Sequence, residues 1–232
     1  MTGVQTCALP ISNVDSRLRI SALSGKETAI YGPKNSEENI MAPLHATRGM
    51  LFPYTPAIQI SGESSWTAHD LVQTNFDILS YQRTPSASIG VTGKFTVQNQ
   101  REGEYAIAVI HFLRTITKMH YGDQESAQNN ALNNKDGVAL AGLPPPVVRL
   151  RGYGKYMFPD LRCVVKGYSF NFDENMDLIR IKSPTGGHMS VPPMFTIQVN
   201  LGLQQSPRRV RKDFNLEEFR TGKAFITGGN WF

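Results

Sequence analysis

Cysteine is almost missing from these 232 residues: only Cys7 and Cys163 occur, which makes no cysteine cluster of the kind that holds zinc. Long apolar runs are missing too. No stretch reaches the roughly 18 apolar residues needed to cross a bilayer. Nor does a basic start followed by an apolar run mark a secretory signal. The five histidines (His45, His69, His111, His120, His188) form neither HxxxH nor HExxH, the spacings that put two imidazoles around one metal ion. His111 and His120 stand nine residues apart, half a helical turn out of register, and His120 reads as a residue beside an apolar stripe. The loops that carry common chemistries are absent as well: no GxSxG elbow, no GxxxxGK[ST] and no GxGxxG. Gly152-Tyr153-Gly154 is a tight turn, and Asp173-Glu174 sits at another. Cys163, among alternating apolar residues, reads as an inert core thiol. No catalytic residue, cofactor or metal is expected, and the chain does not read as an enzyme.

What is present suits a globular protein. A hydrophobic fraction of 40% with 19% charged residues can bury a core, and the length fits one domain with extensions. The net charge of +5 is unevenly placed. From Val147 onward, 13 Lys and Arg face 7 Asp and Glu, while the preceding residues carry 11 against 12. Such asymmetry fits a nucleic-acid face or a charged subunit interface.

The opening residues stand apart. Thr2 to Ile11 (TGVQTCALPI) reproduces the translation of a common sequencing adapter, so residues 1–12 are set aside from fold reasoning. On that reading Cys7 is an artefact, Cys163 has no intrachain disulfide partner, and the natural N-terminus is missing. Without a signal, a cytoplasmic life during assembly is the simplest expectation.

Periodicity predicts the elements. Residues 13–48 are polar and broken by Gly25, Gly32, Pro33 and Pro43, and read as an extended arm. Met50–Ser61 is apolar but carries Pro53 and Pro56, which confine it to an edge strand. Asn75–Arg83 is a further strand. Ile89, Val91, Phe95 and Val97 alternate with polar residues, and Gly93 takes one inward position. The period then changes. Asn99 and Glu102 form a capping box, and Tyr105, Val109, Phe112, Leu113, Ile116 and His120 follow at helical spacing towards Gly122, a helix of about 22 residues. Asp123–Gly142 is Asn-rich and reads as a long functional loop before Pro144-Pro145-Pro146. Strands resume at Val147–Arg151, Leu161–Asp173 and Leu178–Lys182, then over Phe195, Ile197, Val199, Leu201 and Leu203. A second capping box at Asn215 and Glu218, with Phe214 and Phe219 as its staple, starts a short helix that Gly222 stops. The pattern predicts about seven strands in antiparallel hairpins with one long and one short helix, an α+β fold.

Arg208, Arg209, Arg211 and Lys212 form the densest charge cluster. It fits a solvated connector, or phosphate contact in a nucleic-acid-binding β-domain. No aromatic stacking pattern accompanies it, so charge pairing across a subunit boundary is preferred.

Three segments, Gly93–Gly122 (GKFTVQNQREGEYAIAVIHFLRTITKMHYG), Gly142–Gly154 (GLPPPVVRLRGYG) and Val191–Gly222 (VPPMFTIQVNLGLQQSPRRVRKDFNLEEFRTG), resemble the baseplate and tail-tube junction proteins of contractile-tailed phages. The resemblance covers roughly residues 49–222, with 223–232 as a tail. It implies an antiparallel β-sandwich or partial barrel of tail-tube type flanked by one helix, six copies closing a ring in the virion tail. It implies as partners the tail tube protein, the baseplate hub and the tape measure protein, with DNA passing through the lumen unbound, and no membrane insertion. A role in seeding tube growth follows. The chain's basic balance departs from the acidic or neutral lumen of that family, which places the positive charge outward or in subunit interfaces.

Overall fold

The two strongest alternations lie side by side at the centre of one sheet. A computed structural model describes residues 16–34, 39–70, 72–119, 142–154, 156–174, 176–183 and 186–226. The adapter-like start, His120 and most of the Asn-rich segment fall outside them. The elements run β1 (Arg19–Ala22), α1 (Glu27–Tyr31), α2 (Pro43–Thr47), β2 (Met50–Leu51), β3 (Ala57–Ser61), β4 (Ser65–His69), β5 (Ile78–Arg83), β6 (Ser88–Thr96) and α3 (Gln100–Ile116). There follow β7 (Val148–Gly152), β8 (Phe158–Phe172), β9 (Ile179–Lys182), β10 (His188–Val191), β11 (Met194–Leu203), α4 (Pro207–Asp213), α5 (Leu216–Arg220) and α6 (Lys223–Ile226). Seven strands form one antiparallel sheet in the order β2-β1-β7-β8-β11-β6-β3, and β4–β5 and β9–β10 form separate two-stranded ladders. The fold is α+β with a large antiparallel sheet that does not close into a barrel.

The period of two fixes which face is inside. Phe95 pairs with Phe195 and Val91 with Val199 across β6 and β11, and the two phenyl rings stack with centroids 5.6 Å apart. Phe95, Phe195, Ile197, Val199, Leu201, Leu161 and Cys163 are all buried on that face. The layer over it is α3, whose Tyr105, Val109, Phe112, Leu113 and Ile116 join the same core. Each such side chain taken wholly out of water contributes about 1.5–3 kcal/mol. Gly93 belongs here because of its neighbour: a Cβ on it would stand 2.4 Å from Cδ1 of Phe52.

Helix α3 starts where the capping pattern predicts. Asn99 Oδ1 accepts from the Glu102 N–H at 3.0 Å, and the Glu102 carboxylate accepts from the Gln98 N–H at 2.8 Å. It ends sooner than expected, after 17 residues, or about 26 Å. The cause is local: the Thr117 hydroxyl donates to the carbonyls of Leu113 and Arg114, both at 3.1 Å, closing the last turn before Gly122.

The expectation of an extended arm before Arg48 is corrected. Leu18, Ile20 and Ala22 are buried, and β1 pairs with both β2 and β7 inside the sheet. The alternation of Arg19 and Ser21 with Ile20 and Ala22 spans only four residues, too few to stand out among the flanking glycines and prolines. Prolines do break the Met50–Ser61 stretch, into β2 and β3, and each half forms one edge of the sheet.

Side chains occupy several places where a strand would otherwise sit. The Tyr105 hydroxyl accepts from the Leu51 N–H at 2.6 Å and donates to the Leu51 carbonyl at 2.9 Å, closing the β2 edge. Tyr31 makes one such bond to β1, its hydroxyl accepting from the Ala22 N–H at 2.7 Å. Gln100 pairs its carboxamide with both backbone groups of Lys182 at 2.9 Å, joining α3 to β9. We expect Tyr105→Phe to leave two buried backbone groups without this partner and to lower unfolding free energy by about 1–3 kcal/mol. Urea denaturation checks this, with an unchanged m-value as the control on two-state behaviour.

Candidate functional site

Only one face of the sheet is covered by α3, and the strand register says what stands on the other. Thr92, Lys94, Thr196, Gln198, Asn200, Ser169 and Asn171 share that face across β6, β11 and β8. Gly90, Ser88, Gln59 and Asn200 border a shallow, uncharged depression towards the β3 edge. Towards β1 and β7 the same face turns basic. Arg19 stands opposite Arg151, and Arg149 opposite Arg162.

A bulge organises the basic end. The register between β7 and β8 slips between Leu150 and Arg151, leaving Asp160 as the extra residue at φ 93°, a backbone conformation costly for a side chain with a Cβ. The slip aims its carboxylate at Arg149. Arg149 Nε donates to Asp160 Oδ1 at 2.7 Å, its Nη2 donates to Oδ2, and Nη1 donates to the Ser24 hydroxyl at 2.5 Å. Burial, then repulsion from Arg151 and Arg162, pulls the Arg149 guanidinium below its ordinary pKa. Arg149, Asp160, Ser24 and Arg151, with Arg17, Arg19, Arg48 and Glu27, border a cleft of about 350 Å³. Tyr31 and His45 line it too: their rings meet edge-on at 5.5 Å, and His45 Nε2 donates to the Gly32 carbonyl at 2.9 Å.

The cluster singled out from sequence lies elsewhere. Arg208, Arg209, Arg211 and Lys212 sit on α4, directly after β11, where a connector was expected. The side chains of Arg208, Arg211 and Lys212 are exposed. Arg211 and Lys212 occupy the last turn, where the helix dipole favours positive charge. The staple predicted for the next helix is present: Asn215 Oδ1 accepts from the Glu217 N–H at 2.9 Å, and the rings of Phe214 and Phe219 lie 5.9 Å apart. Sequence reasoning missed the arginine cleft. Its signal was the Arg149-Leu150-Arg151 alternation, which puts both charges on the face that Leu150 does not use.

A second surface is apolar. β4 and β5 make a two-stranded ribbon that pairs with no other strand among the described residues. Trp66 stands opposite Tyr81 and Ala68 opposite Leu79, so one side of the ribbon is apolar, while the other is mixed, with Thr67 opposite Ser80 and His69 opposite Ile78. The Trp66 and Tyr81 rings meet edge-on at 5.3 Å. Both remain more than half exposed, as does Leu79 at 60%. Among the described residues no group of three His, Cys, Asp or Glu side chains could hold a metal ion, and no helix is long and apolar enough to cross a membrane.

No family model matches the chain, and no curated protein matches it. Among solved structures, it is similar to a chain from the tail of an empty GTA particle with C6 symmetry. The match has 6% identity and a TM-score of 0.26, covering 66% of this chain and 78% of that one.

Two outcomes are expected from the site geometry. Asp160→Asn removes the charge that holds Arg149 at a half-exposed position, and should cost about 1–2 kcal/mol in low salt and less in high salt, read by urea denaturation at two ionic strengths. Cys163 is buried, which pushes its thiol from 9.0 up to about 12. Between those values the folded thiol keeps a proton that the unfolded thiol releases, so stability falls as pH rises through this window. In Cys163→Ala that alkaline slope should be shallower, and in a Cys7→Ser background a thiol reagent at pH 8 should react only on unfolding.

Proposed function

We propose that this chain is a structural subunit of a phage tail, not an enzyme, and that six copies close a ring joining the baseplate to the tail tube and seeding tube growth. The observation that carries the reading is the β4–β5 ribbon. A lone two-stranded ribbon is marginal in water, and this one turns Trp66, Leu79 and Tyr81 outward, as an interface does before its partner arrives. The two edges of the sheet also differ. Tyr105 closes the β2 edge, while β3 pairs only with β6 among the described residues. A cyclic ring needs two different complementary surfaces on each subunit, and unlike flanks supply them.

The resemblance of residues 93–122, 142–154 and 191–222 to tail-tube junction proteins gives this self-association its setting in the virion, with the tube protein and baseplate hub as neighbours. Exposed Arg208, Arg211 and Lys212 on α4, with Arg209 beside them, are assigned to charge pairing across a subunit boundary. Negative-stain electron microscopy of the full chain at high concentration should show six-fold rings with an open centre. A Trp66→Ser/Leu79→Ser variant should sediment as a monomer with an unchanged far-UV spectrum. A wild-type chain that stays monomeric both alone and with the tube protein and hub present overturns the proposal.

A further inference from the structure

Two exposed apolar surfaces leave the same end of the sheet on opposite sides of β11. The β4–β5 ribbon grows from the last residue of β3 and the first of β6, Ser61 and Ser88, which pair with each other and stand level with Gly202 near the end of β11. Besides Trp66, Leu79 and Tyr81 it exposes Val72 and Phe76 at its turn. From the same end of β11 the chain turns towards β8, the Gln204 N–H donating to the Arg162 carbonyl at 2.9 Å, and enters α4–α6. There the rings of Phe214, Phe219 and Phe225 follow one another at 5.9 and 5.4 Å, and Phe225 meets Tyr156 of the β7–β8 turn at 6.4 Å. Nothing in the chain closes over this row, since Tyr156 is 64% exposed and Leu216 69%.

We infer, resting on the ring proposed above, that the ribbon of one copy docks head to tail on the α4–α6 row and Tyr156 of the next copy. Position, charge and area select this occupant. Surfaces at one level of the sheet and on opposite sides of β11 meet when a copy is rotated about an axis along the strands, whereas ribbon against ribbon closes a pair and not a ring. Residues 62–83 carry Glu63, Asp70 and Asp77 against Arg83, all exposed. Residues 207–223 carry six Lys and Arg against three Asp and Glu, so the two surfaces are opposite in sign. At more than half exposure, Trp66, Phe76 and Tyr81 leave on the order of 100 Å² each in water, and Val72 and Leu79 bring the apolar total to about 500 Å². That is the apolar share of the roughly 800 Å² that each partner of a standard interface buries.

Complementary variants test the contact by sedimentation velocity of the full chain. Tyr156→Ser/Leu216→Ser removes the receiving surface and keeps the ribbon, and Trp66→Ser/Leu79→Ser does the reverse. Each alone should stay monomeric with an unchanged far-UV spectrum. Their equimolar mixture should form a heterodimer that grows no further, because it holds one intact contact and lacks a second. Asp70→Lys/Asp77→Lys should weaken assembly about tenfold at low salt, and adding Arg208→Glu/Arg211→Glu to the same chain should restore it. Rings formed by Tyr156→Ser/Leu216→Ser overturn this contact and leave the ring itself standing, as does a mixture of spectrally native variants that stays monomeric, or a charge-reversed chain that is not restored. Tube protein that binds the chain through the ribbon, with Tyr156→Ser/Leu216→Ser without effect, identifies a different occupant and overturns it too. A wild-type chain that stays monomeric with tube protein and hub present removes ring and contact together.

Discussion

One helix covers one face of seven strands, and the rest of the molecule answers to that imbalance. The inward residues of β6, β8 and β11 reach the core through α3, and α3 reaches solvent only along the side away from them. The contact is close enough to dictate glycine. A Cβ on Gly103 would lie 2.8 Å from Ile181 Cδ1, so the β9–β10 ladder comes this close to the helix because no side chain stands at that position. With its one long helix engaged on the inside, the outer face carries, among the described residues, the strands' own polar side chains. Their identity, amide and hydroxyl at one end and guanidinium at the other, then decides what that face can meet.

The same shortage of covering elements explains the edges. A sheet of this width leaves rows of backbone donors and acceptors at its margins, and an uncovered margin invites pairing with another chain. Tyr31, Tyr105 and Gln100 each lend a side-chain hydrogen bond where a strand would have paired. Two of the three come from α3, so the helix that fills the core also ends strand pairing at β2. Among the described residues no such closure is seen at β3, which leads into the β4–β5 ribbon. Association is thereby discouraged on one flank and left open on the other.

Where the sequence signal was long, the fold was legible. Nine or more alternating positions place β6 and β11, and the capping box with its helical stripe places the start of α3. Short elements were legible only in part: β7 and β9 were read as Val147–Arg151 and Leu178–Lys182, whereas the four alternating residues of β1, set among glycines and prolines, cannot be told from a polar loop. That is why β1, buried beneath Tyr31 and beside β7, reads from sequence as an arm. β10 and the first strand of the ribbon failed for a related reason. His188–Val191 is four residues long, and Ser65–His69 lacks the strong apolar alternation of a core strand because its apolar side faces solvent. The α4 cluster was conspicuous as consecutive charges, whereas the cleft is built from arginines up to 134 positions apart, Arg17 to Arg151, that only strand pairing brings together.

Charge density along a chain and charge density in space are different quantities, and the two basic sites here show the difference. On α4 the charges are adjacent in sequence but project from a helix into water, where solvent screens them and the dipole of the last turn favours them. Little work is needed to hold them there. In the cleft the charges arrive from β1, the end of α2 and β7, and register forces Arg19 against Arg151 whether or not that contact is favourable. The protein meets part of that cost with a bulge, placing Asp160 at a positive φ so that its carboxylate can face Arg149. A residue held in a costly backbone conformation to grip one arginine shows how charge gathered by strand register, unlike charge strung along a helix, is answered by a local change of backbone.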